Sequence, residues 1–274
     1  MGGEGLEVVP RFMGEEGEKF FTLRFASGDK PRAHIVFIPP FAEEMNRCRS
    51  LVASQARSFA RAGYWCTLVD FYGTGDSQGH LCDASLTVWK DNIRVTIDAL
   101  QRVSPAPLIL WGLRLGGLLA LDFAVDSSVR PQDIILWQPV NSASVYITQV
   151  LRQRVASLMV RDLPPETTKE IRQRLADGEQ VEISGYILGG ALVDQIERIN
   201  VSAMAGLCDG TIHWLEHVLE AGKDIGLASR KVVDQLSRQG NQLAVRTFCD
   251  PPIWQIHERD FAPQLLALTD GLLP

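Results

Sequence analysis

Four short apolar runs limit what this chain can fold into. His34–Ile38 (HIVFI), Trp65–Asp70 (WCTLVD), Leu108–Trp111 (LILW) and Ile134–Trp137 (IILW) show little of the in–out alternation of a half-exposed strand. A strand written this way is buried on both faces, which requires helices above and below the sheet. The intervening sequence supplies them. A helix runs roughly from Asn46 to Ala62 and is closed by Gly63. Leu86, Trp89, Ile93, Ile97 and Leu100, spaced by three and four, form one face of an amphipathic helix. Leu115–Val125 reads as a buried helix after the third run. Strands alternating with helices in this order predict a parallel, doubly covered α/β sheet.

Residues 11–26 read as two short strands around a turn at Glu15 to Gly17, with Phe20, Phe21, Leu23 and Phe25 supplying β-forming side chains. After Trp137 the alternation stops. Residues 141–200 are mainly helical in pattern, with Val145, Val150, Leu151, Val155, Leu158 and Met159 on one stretch and Ile171 and Leu175 on another, so this segment is expected to be an inserted cap. The sheet resumes at Thr211–Val218, followed by a helix at Ser229–Arg238 and a last strand at Leu243–Cys249. The expectation is a single domain over 1–274, with about eight mostly parallel strands, helices on both faces and the cap at 141–200.

Composition narrows the function. The chain has 274 residues, is 46% hydrophobic and carries a net charge of −6. An acidic balance disfavours nucleic acids and anionic membranes, which need a cationic surface. The five cysteines, Cys48, Cys66, Cys82, Cys208 and Cys249, are scattered and form no CxxC or Cys/His cluster, so no metal and no cofactor is expected. Reduced, buried thiols fit a cytoplasmic location. The N-terminus lacks the basic and apolar regions of a signal peptide, and no stretch approaches the ~20 apolar residues of a membrane span, so no stable membrane insertion is expected.

The chemistry concentrates in three loops that follow strands. Trp111-Gly-Leu-Arg114-Leu-Gly-Gly117 joins a strand to a helix, with glycines flanking a central Arg114 at the spacing of a nucleophile elbow. Either Arg114 is the centre of a site or the glycines merely line a helix start beside a solvated arginine. Asp70-Phe-Tyr-Gly-Thr-Gly-Asp-Ser77 is similar to the DxxGxGxS loop of many α/β-hydrolases and is read as structural. Pro39-Pro-Phe41-Ala-Glu43-Glu44-Met-Asn46 follows the first buried run; Glu43 and Glu44 either pair with Arg114 or form a solvated charge run, and Asn46 joins them as a pocket candidate.

Taken together, PPFAEEMNRCR (39–49), DFYGTGDS (70–77), WGLRLGG (111–117), the Trp137-Gln-Pro139 strand end and PPIWQ (251–255) resemble the exosortase A system-associated hydrolase 2 family of the α/β-hydrolase superfamily, over nearly the whole chain. The resemblance implies the α/β-hydrolase fold and a bacterial exopolysaccharide and protein-sorting setting, with Arg114 where the fold carries its nucleophilic serine. It also implies an oxyanion hole from the amides of Phe41 and Leu115. A triad would need an acid after the strand at 211–218, where Glu216, Glu220 and Asp224 are candidates, and a histidine after the last strand, where His257 stands. His213 and His217 are expected to pack.

Arginine is no ordinary nucleophile, because its pKa exceeds ~12. At a helix N-terminus it suits an anionic ligand. The first reading is therefore a protein that binds a small anionic or acyl ligand in the former active-site pocket. The second is a genuine hydrolase or acyltransferase acting on an ester or thioester through Cys48, Ser142 or an activated water. The third is a partner within the exopolysaccharide system, with the cap as docking surface; homodimerisation is open in each.

Overall fold

The computed structural model describes residues 5–256 and 261–273. Eight strands form one sheet: β1 (Glu7–Met13), β2 (Phe20–Ala26), β3 (His34–Ile38), β4 (Trp65–Asp70), β5 (Leu108–Leu113), β6 (Asp133–Trp137), β9 (Thr211–His217) and β10 (Gln242–Phe248). Their order is β1-β2-β4-β3-β5-β6-β9-β10. β2 pairs antiparallel with both β1 and β4, and every other pairing is parallel. This is the mostly parallel eight-stranded sheet of the α/β-hydrolase fold.

Each buried run feeds two cores at once. Val36, Ile38, Leu108, Leu110, Ile134 and Leu136 face one side of the sheet. There they meet α2 (Leu86–Val103), α3 (Leu115–Asp126) and α7 (Leu227–Arg238). Their sequence neighbours Ile35, Phe37, Ile109, Trp111, Ile135 and Trp137 face the other side, under α1 (Glu43–Arg61) and α8 (Pro263–Asp270). The period of two is present, but both faces are apolar, so the sequence shows a continuous run.

Between β6 and β9 lie α4 (Ala143–Val160), α5 (Thr168–Ala176), β7 (Val181–Ile183), β8 (Tyr186–Leu188) and α6 (Gly190–Glu197). The hairpin of β7 and β8 departs from the mainly helical expectation. Its strands are three residues each, too short for a period to show. α1 also begins three residues before the expected Asn46, because the turn into it is made at Ala42 without a glycine (φ 52°, ψ −125°). No helix among the described residues is long and apolar enough to cross a membrane.

The turn from β5 into α3 is packed too tightly for side chains at its glycines. A Cβ on Gly112 would lie 2.4 Å from the Gly116 carbonyl oxygen, and one on Gly116 would lie 2.1 Å from the Ile38 oxygen. Backbone cannot yield at such distances without moving β3 or α3. Gly116→Ala is therefore expected to cost about 1–3 kcal/mol by overpacking, measured as a lower urea midpoint. An unchanged midpoint would show that the turn is looser than these distances imply.

Candidate functional site

Arg114 occupies the centre of that turn at φ 55°, ψ −121°, a backbone state that costs a non-glycine residue roughly 1–3 kcal/mol. Three backbone bonds hold it. The Arg114 N–H donates to the Trp137 oxygen (2.9 Å), and its carbonyl accepts from Gly117 (3.0 Å) and Val140 (3.3 Å). Ala42, at the mouth of neighbouring β3, has nearly the same torsion angles. Two adjacent strands thus end in matching sharp turns, each opening a helix, and Ala42 and Arg114 line one cavity of about 470 Å³.

Glu44, in the first turn of α1, neutralises Arg114. The Arg114 Nε donates to Glu44 Oε1 at 3.1 Å, and the Tyr146 hydroxyl, from α4, donates to Oε2 at 2.9 Å. The guanidinium carbon lies 5.7 Å from the Tyr146 ring centre and 5.5 Å from that of Trp254, within cation–π reach of both. Burial holds the Glu44 carboxyl above the usual carboxylate range despite the opposing pull of Arg114 and the Tyr146 bond. Burial, and then the Glu44 charge, push the Tyr146 hydroxyl well above its ordinary value. The contact with Glu44 is a single bond through Nε. Among the described residues no acceptor is hydrogen-bonded to the Arg114 Nη groups.

The remaining candidates divide. Glu43 lines the cavity, lies 3.6 Å from the Arg47 Nε and accepts from the Tyr186 hydroxyl. Asn46 reaches the cavity wall through Tyr186, donating to its hydroxyl at 2.7 Å. Phe41 is in the lining, whereas Leu115 is buried at the start of α3. Glu216 is not among the lining residues. Its Oε2 accepts from Trp214 Nε1 (2.8 Å) and its Oε1 from Gly226 N (3.1 Å) and Ser229 Oγ (2.9 Å). Asp224 pairs with Arg230 and Glu220 with Lys223, both at the surface. His257 lies outside the described residues. The alternative nucleophiles are poorly equipped: Cys48 is fully buried, with its thiol pushed far up by burial and then by Glu44, and Ser142 caps α4.

The loop at 70–77 is structural, as expected. Asp70 Oδ2 accepts from Asp76 N and Arg49 Nη2, both at 3.0 Å, and a Cβ on Gly75 would strike it at 2.0 Å. His213 is buried in β9, and His217 packs edge-on against Phe248 and Trp254. The residues missed in the sequence are Tyr146 and Trp254. Trp254 lies in the PPIWQ stretch, but no spacing links that stretch to the elbow.

The Glu44–Arg114 pair fixes a pH dependence. A folded-state carboxyl with a raised pKa binds its proton more readily than the unfolded chain does, so stability falls as pH rises from the ordinary carboxylate value through the raised one. Arg114→Met removes the opposing charge and enlarges this effect. The variant is expected to lose about 3–5 kcal/mol at neutral pH and to regain stability as pH falls towards the ordinary carboxylate value, read by urea denaturation. A loss that does not vary with pH would contradict the burial of Glu44.

The sequence profile of the family described as Serine aminopeptidase, S33, matches residues 29–232. Over 141 residues the chain is 28% identical to the human mitochondrial palmitoyl-protein thioesterase ABHD10, a match that covers 51% of this chain and 40% of that protein. The mouse protein of the same name is 29% identical over 142 residues, with 51% and 41% covered. The match thus spans about two-fifths of these relatives' length. Among solved structures, ferulic acid-bound Est1E from Butyrivibrio proteoclasticus superposes with a TM-score of 0.65 at 16% identity, covering 95% of each chain. Mouse alpha/beta hydrolase domain-containing protein 10 gives 0.58 at 15% identity, covering 96% and 98%. These two superpositions carry the fold; the profile match over most of the chain carries the family. The chain belongs to the serine aminopeptidase S33 family of α/β-hydrolases.

Proposed function

We propose that this chain is a ligand-binding member of its family, in which Arg114 stands at the nucleophile position and holds the carbonyl oxygen of a small acyl compound. The observation that carries this reading is the Arg114–Glu44 pair, which fixes the guanidinium by its Nε and, among the described residues, leaves the Nη donors without an acceptor. The ionisable lining of the cavity favours an acyl ligand over an anion. Among the described residues Glu43 and Glu44 balance Arg47 and Arg114 in the lining, and these four together set up no net field to attract an added charge. The amides of Phe41 and Leu115 would assist Arg114 as further donors to the same oxygen. The PPFAEEMN and GLRLG stretches support a role beside bacterial exopolysaccharide and exosortase machinery in the cytoplasm.

One observation favours a hydrolytic second reading. Glu44 is a buried carboxylate with a raised pKa that faces the cavity beside Arg114, the environment in which a general base can activate water. The two readings separate experimentally. An alkyl fluorophosphonate is expected to label no serine stoichiometrically, and p-nitrophenyl butyrate to be hydrolysed no faster than in buffer. Hydrolysis abolished by Glu44→Gln, still without labelling, would establish the second reading. Stoichiometric labelling of a serine would overturn both.

A further inference from the structure

A second cationic cluster lies where β1, β2 and β4 meet α2. The register places Arg24 between Val9 of β1 and Thr67 of β4, and sets Arg11 opposite Thr22. Strand residues two apart share a face, so Arg11, Thr22, Arg24 and Thr67 stand together on one side of the sheet. With Thr96 and Val103 of α2 they border a narrow cleft of about 30 Å³. It shares no lining residue with the Arg114 cavity.

The cleft contains donors and charges that the fold itself does not satisfy. Thr67 is 3% exposed, and its Oγ1 is buried without a hydrogen-bond partner; the Arg24 Nε is likewise buried and unpartnered. The Trp65 ring centre lies 4.5 Å from the Arg24 guanidinium carbon and holds that charge by cation–π contact, which leaves the Nε proton over. Among the described residues neither Arg11 nor Arg24 forms a salt bridge. Burial, and then the Arg11 charge, press the Arg24 guanidinium below its ordinary value, and Glu7 opposes this more weakly. Like charges on neighbouring strands are destabilising, and buried donors without acceptors cost stability unless a water or an ion supplies one. A water would accept from both donors but leave the repulsion between the arginines. An oxyanion removes both costs.

We infer that this cleft binds a phosphoryl group, as inorganic phosphate or a phosphate monoester. One oxygen enters the cleft, which has room for a single water-sized group, and accepts from Thr67 Oγ1 and Arg24 Nε. The other oxygens stay at the mouth, where Arg11 is exposed, and meet its guanidinium. A tetrahedral dianion suits two arginines set at different depths; a carboxylate brings one charge and two oxygens in one plane. The site is independent of the reading of Arg114.

The test is thermal denaturation of the full chain, titrated with inorganic phosphate, methyl phosphate or acetate at constant ionic strength. Either phosphate is expected to raise Tm saturably, and acetate is not. Arg24→Met is expected to weaken phosphate binding about tenfold, and Arg11→Gln and Thr67→Val about threefold each. Arg61→Gln removes the same charge at an exposed position outside the cleft and is expected to leave the affinity unchanged. In phosphate-free buffer Thr67→Val is expected to be no less stable than the wild type, because its hydroxyl has no partner to lose. Should Arg24→Met not fold, Arg11→Gln and Thr67→Val decide the matter. Methyl phosphate binding as well as phosphate assigns the site to a monoester; phosphate binding alone assigns it to the free ion. Pelleting with phosphatidylcholine vesicles that contain phosphatidate, lost in Arg11→Gln, would place the monoester on a lipid. No saturable shift from either phosphate, or an affinity that Arg11→Gln and Thr67→Val leave unchanged, would overturn the inference. So would an equal loss in Arg61→Gln, which would reduce the effect to net charge.

Discussion

The contact between Glu44 and Arg114 is the interaction around which the site is arranged. It joins the first turn of α1 to the turn between β5 and α3, and so ties together the two strained strand–helix junctions that border the main cavity. Both side chains are mostly buried. Removing an ion from water costs several kcal/mol, and the attraction between partners repays this only when their remaining hydrogen-bonding groups are satisfied. Tyr146 does this for the carboxylate; the guanidinium is satisfied at Nε alone among the described residues, with the rings of Tyr146 and Trp254 within cation–π reach. The arrangement explains why an arginine is tolerated at a position whose backbone is already strained: it is held by charge, hydrogen bond and aromatic contact from three separate parts of the chain.

The fold supplies the rigidity this requires. Gly112 and Gly116 let β5, α3 and the end of β3 approach within distances that no other residue permits. Behind the turn, Trp111 and Trp137 meet edge to face at 4.7 Å, and Trp137 Nε1 donates to Thr269 in α8. In front, the insertion between β6 and β9 contributes Tyr146, Gln149 and Tyr186 to the cavity wall. The sheet therefore fixes the position of Arg114, and the insertion supplies part of the cavity wall beside it.

Much of this was legible in the sequence, for identifiable reasons. The doubly buried strands appeared as unbroken apolar runs, and the spacing of Gly112 and Gly116 marked the turn because it fell between a strand and a helix. Glu43 and Glu44 could not be ranked, because adjacent residues at a helix start differ in direction only once the turn at Ala42 is known. Tyr146 and Trp254 were invisible because an aromatic residue packed in a core and one facing a cavity obey the same pattern. Glu216 was a reasonable acid by position, yet its carboxylate is taken up by Trp214, Gly226 and Ser229, local bonds that no spacing rule reveals. The hairpin at 181–188 escaped because three-residue strands carry no period.

The central claim is that Glu44 and Arg114 act as one unit, and a double-mutant cycle measures this directly. Urea denaturation of the wild type, Glu44→Gln, Arg114→Met and the double variant at neutral pH yields their coupling energy. Direct contact predicts a value of roughly 1–3 kcal/mol, with the double variant more stable than Arg114→Met alone. Additivity to within about 0.5 kcal/mol would mean that the two charges are separately solvated, and would contradict their acting as one unit.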